Sequence, residues 1–102
     1  MEIAMELDKI HHIAVQVEDV EKSVEWYKTK FLCELKYSDS SWALLKFANV
    51  SVALVTKNEH PPHYAIERDS ISEFGAETRH RDGTHSVYIS DLDDNTIEML
   101  KL

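Results

Sequence analysis

The chain has 102 residues, 43% hydrophobic and 29% charged, with a formal net charge of −8. That length fits one domain with a real core and not two, so residues 1–102 are read as a single domain. The acidic balance argues against nucleic acid, which needs a basic patch, and against an anionic membrane surface. No apolar run is long enough to span a bilayer.

The opening MEIAMELDKI is acidic and lacks a positive region followed by an apolar stretch, so no secretory leader is expected. Cys33 is the single cysteine, which excludes an internal disulfide and makes a cytoplasmic setting the expectation. Lys9–Val17 then predicts a strand. Ile13, Val15 and Val17 alternate on an apolar face, with His12, Ala14 and Gln16 on the other. His11 is expected to point away from His12. Asp19 is a good helix N-cap, and Val20, Val24, Tyr27 and Phe31 recur at helical spacing, a stripe suited to covering the apolar strand face. Glu21, Lys22, Glu25 and Lys28 make its outer face a solvated one. Three strands follow, about Cys33–Ser38, Trp42–Phe47 and Ser51–Thr56, with connections short enough to force antiparallel pairing.

Lys57–Pro62 ends in Pro-Pro and cannot continue a central strand. HYAIE, His63–Glu67, predicts another strand, with Tyr64 and Ile66 on one face and His63, Ala65 and Glu67 on the other. Asp69–Gly75 has room for one helical turn, which Gly75 can end. A strand within Ala76–Arg81 and a closing hairpin, Ser86–Ile89 and Thr96–Leu100, complete the chain. The fold class is therefore α+β. Two βαβββ halves, about 7–57 and 62–102, would form a curved mixed sheet around a cleft, with the second helix cut to about one turn.

Three residues then stand in equivalent places. His12 and His63 open corresponding strands of the two halves, and Glu98 lies between Ile97 and Met99 in the last strand. Each faces away from its strand's large apolar side chains. A lone carboxylate there is costly unless paired or bound to a metal. Two imidazoles and a carboxylate from separate strands are the ligand set of catalytic zinc and of non-haem iron. The competing reading leaves Glu98 in water on a half-exposed strand. Gln16 and Glu67 lie four residues along from the histidines, roughly 13 Å at about 3.3 Å per residue, too far to ligate the same ion. Cys33 reads as a small apolar residue rather than a nucleophile.

LDKIHHIAVQVEDVEKSVEWYKTKF, PPHYAIE and SVYISDLDDNTIEML resemble the opening strand and helix, the second-module strand and the closing hairpin of the vicinal oxygen chelate superfamily. That superfamily includes glyoxalase I, bleomycin and fosfomycin resistance proteins and extradiol dioxygenases. The resemblance implies a divalent metal (Ni, Zn, Mn, Fe or Co) on His12, His63 and Glu98, and substrate contacts from Ser86 and Tyr88. It implies a metal-dependent enzyme in which the ion is a Lewis acid for a small substrate with neighbouring oxygens. The alternative is a metal-free, antibiotic-type binding or sequestering protein with the same cleft. His85 is a further candidate at the pocket mouth, and His60 and His80 fall in or near loops.

There are departures from the family. The closing turn reads Asp91-Leu92-Asp93-Asp94-Asn95, with Asp94 where the family has a left-handed Gly. Val52-Ala53-Leu54-Val55 carries no counterpart of glyoxalase I's further ligand acid, which disfavours that isomerisation. A second helix reduced to one turn would leave Tyr64, Ile66, Ile97 and Met99 uncovered. The expected assembly is a homodimer with Phe74 and this face at the contact. In one version the cleft is shared, with His12 of one subunit beside His63 of the other.

Overall fold

The computed structural model describes residues 6–102, so the acidic opening stretch lies mostly outside the described residues. Its strands are β1 (Lys9–Gln16), β2 (Glu34–Ser38), β3 (Trp42–Lys46), β4 (Ser51–Val55), β5 (His63–Glu67), β6 (Thr78–Arg79), β7 (His85–Ser90) and β8 (Thr96–Lys101). They form one eight-stranded mixed sheet in the order β2-β3-β4-β1-β5-β8-β7-β6. The two parallel pairs, β1 with β4 and β5 with β8, hold equivalent places in the two halves, and β1 and β5 join the halves antiparallel at the centre.

The single α-helix among the described residues, α1 (Val20–Lys30), starts where Asp19 accepts a hydrogen bond from the Lys22 amide. Its buried Val20 and Val24 pack on Ala43, Leu45 and Leu54, with Val15 and Val17 at the edge. Leu45 and Leu54 are fully buried, so truncating either to Ala would cost about 2–5 kcal/mol.

A 3-10 turn, Ser72–Phe74, stands where the second helix would be. The Ile71 before it is fully buried against Val87 and Met99, with Ile66, Ile97 and Phe74 packed around them. This corrects the expectation of a bare face: one residue inserted from a short turn covers most of it. Only Tyr64, at 36% exposure, stays open there, beside its register partner Ile13 at 43%.

Candidate metal centre

The pleat assembles the site. On the concave face the register aligns His12 with Ala65, Ala65 with Glu98, and Glu98 with Tyr88, one row across β1, β5, β8 and β7. β1 and β8 are not neighbours, and two strand spacings separate them by about 9.6 Å. Ala65, fully buried between them, has only a methyl group. His12 and Glu98 can therefore meet above it, with His12 Nε2 3.2 Å from Glu98 Oε1. His63 stands one pleat along β5, and its Nε2 lies 3.1 Å from the same oxygen. His12, His63 and Glu98 each offer a ligand atom within 4.8 Å of the others. All three come from one chain, so the cleft shared between two chains is not needed to unite them.

Proton bookkeeping shows what this cluster accepts. His63 Nδ1 lies 2.8 Å from the Pro61 carbonyl, which can only accept, so Nδ1 carries a hydrogen. In the neutral ring Nε2 is then a lone pair facing a carboxylate oxygen. Either a second proton or a cation must sit between them. The backbone carbonyl also fixes ring tautomer and orientation, as such partners do for metal-ligating histidines. The donor set thus fits a divalent ion. Burial opposes ionisation of Glu98, but hydrogen bonds from His12, His63 and His80 outweigh it and hold the carboxyl far below its usual range.

Two neighbours of the triad come from segments that sequence periodicity does not place. His80 Nε2 lies 3.3 Å from Glu98 Oε2 and bonds to the Ser86 hydroxyl. The hydrogen bond to Glu98 raises the pKa of His80. His60, from the β4–β5 connection, stacks on Tyr88 with ring centroids 5.3 Å apart, and burial lowers its pKa. His11 departs from expectation. The register slips between Ile10 and His12, a bulge that leaves His11 without a strand partner. Its Nδ1 lies 2.8 Å from His12 Nδ1, and it lines the pocket instead of facing away. His85 is not at the pocket mouth; it lies beside Glu77, 3.6 Å away.

Tyr88 does face the pocket, and burial, then the Glu98 charge, raise its pKa so that the phenol stays protonated. Ser86 is fully buried beneath His80. A roof spans the mouth. Arg81, between β6 and β7, pairs with Asp39 of the β2–β3 turn at 3.0 Å and with Glu59 at 2.9 Å, above the Trp42 ring. The pocket beneath has a cavity volume of about 70 Å³ and opens to solvent.

Residues 9–99 match the family model of the Glyoxalase/Bleomycin resistance protein/Dioxygenase superfamily. The chain belongs to this superfamily. Among solved structures, a methylmalonyl-CoA epimerase from Mycobacterium tuberculosis aligns with TM-score 0.78 at 14% identity, over 98% of this chain and 92% of that one. A variant of the Streptomyces coelicolor methylmalonyl-CoA epimerase in complex with 2-nitronate-propionyl-CoA aligns with TM-score 0.77 at 16% identity, over 94% and 98%. At these identities the likeness is one of fold. No curated protein matches the sequence. Among the described residues no helix is long and apolar enough to cross a membrane.

Proposed function

We propose that this superfamily member is a metal-dependent enzyme acting on a small molecule with neighbouring oxygens, its ion held by His12, His63 and Glu98. The observation that carries this reading is the convergence of both histidines on one buried carboxylate oxygen, with His12 Nε2 3.2 Å and His63 Nε2 3.1 Å from Glu98 Oε1. A bound divalent ion supplies Lewis-acid stabilisation of negative charge on substrate oxygen. The chain's own groups do the rest. Tyr88, kept protonated by burial, donates a hydrogen bond to a substrate oxygen. His80, propped by the buried Ser86 hydroxyl, is placed to hold a proton beside the substrate, so Ser86 acts through His80. The epimerase neighbours suggest one reaction class, removal and return of a proton beside a carbonyl. Ala53 and Val55 give β4 no acid at the centre, so isomerisation of a glutathione hemithioacetal is expected to be negligible.

The metal-free alternative has one observation in its favour: among the described residues, every buried side-chain polar atom already has a hydrogen-bond partner. Cobalt spectroscopy separates the two. Untagged protein loaded with Co²⁺ should show visible ligand-field bands that shift when acetohydroxamate, a two-oxygen chelator, is added. His12→Ala should show neither. Absence of bands in the wild type would favour a sequestering protein.

The same proposal includes a homodimer. The patch left for its contact is Ile10, Ile13 and Tyr64, adjacent on β1 and β5 and 36–49% exposed.

A further inference from the structure

β3 and β4 are apolar on both faces. The sequences WALLK and SVALV do not alternate as a sheet with one wet face should. Ala43, Leu45 and Leu54 face α1 and make the main core. The opposite face carries Trp42, Leu44, Ala53 and Val55, which pack with Ala14 into a second apolar cluster. Four of its side chains, Trp42, Leu44, Ala53 and Val55, line the metal pocket. The other side of that pocket is polar, built from His12, His63, Glu98, His80 and Tyr88. The cleft is therefore divided: one wall presents oxygen-binding groups, and the facing wall presents the hydrocarbon of Leu44, Ala53 and Val55 beside the Trp42 indole, on which Tyr37 stacks and over which Arg81 lies.

The charges at the mouth narrow the ligand further. Arg81 is the one Lys or Arg side chain among the residues lining the pocket, and Asp39 and Glu59 both hold it. Asp82 adds a further negative charge there. A substrate bearing a second anionic group would meet no unpaired cation.

Resting on the metal-centre reading above, we propose that the substrate carries a ring-sized apolar group, without a further charge, that lies on the Trp42–Leu44–Val55 wall while its paired oxygens face His12, His63 and Glu98. Small residues make this possible. Ala14 and Ala53 lie in register on adjacent strands between the wall and the histidines, leaving room for a ligand to bridge the two sides.

The test compares two probes with the same chelating head on the metal-loaded protein, acetohydroxamate and benzohydroxamate, with dissociation constants read by titration calorimetry. Burying a phenyl ring is worth about 1.5–3 kcal/mol, so benzohydroxamate should bind about 10- to 100-fold more tightly. Leu44→Gln, which wets the wall, should cut that ratio to below about threefold. Ala53→Met, which fills the space instead, should do the same, and guards against a misfolded first variant. Equal affinity of the two probes for the wild type would overturn the wall proposal and leave the metal reading standing. A preference that survives both variants would also overturn it. Failure of acetohydroxamate to bind at all would overturn the metal reading, and the wall proposal with it.

Discussion

Ala65 decides whether the centre can form. It lies in the row between His12 and Glu98, fully buried, and the two ligands meet over its methyl group. Ala65→Val would place a branched side chain in that gap. Overpacking of this kind costs about 1–3 kcal/mol. Metal affinity should fall by on the order of 100-fold, as it does when the support of a ligand is disturbed. Titration calorimetry and urea unfolding on the same samples would check both, and unchanged affinity would contradict the row geometry. A strand's period of two put His12, His63 and Glu98 each on the face away from the large apolar side chains, and the resemblance to the superfamily singled them out as a set among six histidines. His11 was not legible in the sequence, because a bulge is a property of the pairing and leaves no mark in one strand's own sequence. His60 and His80 were illegible for a related reason. They sit on irregular segments with no periodicity, and only the closed sheet brings them to Glu98 and Tyr88.

At the scale of elements, the turns carry the strain. Gly75 has φ +139, a conformation essentially confined to glycine, and an added Cβ would lie 3.3 Å from Val87 Cγ1. Gly75→Ala should destabilise by about 1–3 kcal/mol in urea unfolding, because this turn holds Ile71 in the core. Asp94 has φ 65, in the left-handed region expected from the position it shares with the family's glycine. Asp94→Gly should therefore stabilise, by about 0.5–1 kcal/mol. The roof titrates. Burial opposes ionisation of Asp39, but hydrogen bonds from the Tyr37 hydroxyl and the Ser41 and Trp42 amides hold its carboxyl well below the ordinary 3.8. With the folded pKa depressed, the unfolded chain takes up the proton first. The stability due to Asp39 is full above about pH 4 and is lost as pH falls below it. Between about pH 5 and pH 3 the urea midpoint should drop more in the wild type than in Asp39→Asn; equal drops would show that Asp39 contributes nothing there. Strand and helix boundaries were legible from periodicity and from the Asp19 cap. The cover of the second half was not, because Ile71 enters the core from outside any periodic element.

For the whole molecule, one chain brings together all three proposed ligands, so metal binding should not depend on assembly. The proposed homodimer has its own test, sedimentation of the wild type against Tyr64→Lys. The variant should run near 11.8 kDa with its ion retained, and a wild type already at that mass would contradict the dimer. The central claim is that His12, His63 and Glu98 hold a divalent ion. Its most direct test is the metal content of untagged protein exposed in turn to Ni²⁺, Zn²⁺, Mn²⁺, Fe²⁺ and Co²⁺ and then dialysed, beside Glu98→Gln treated alike. The account predicts about one ion per chain in the wild type for at least one metal, and almost none in the variant. No retained ion in the wild type, or equal retention in both, would contradict it.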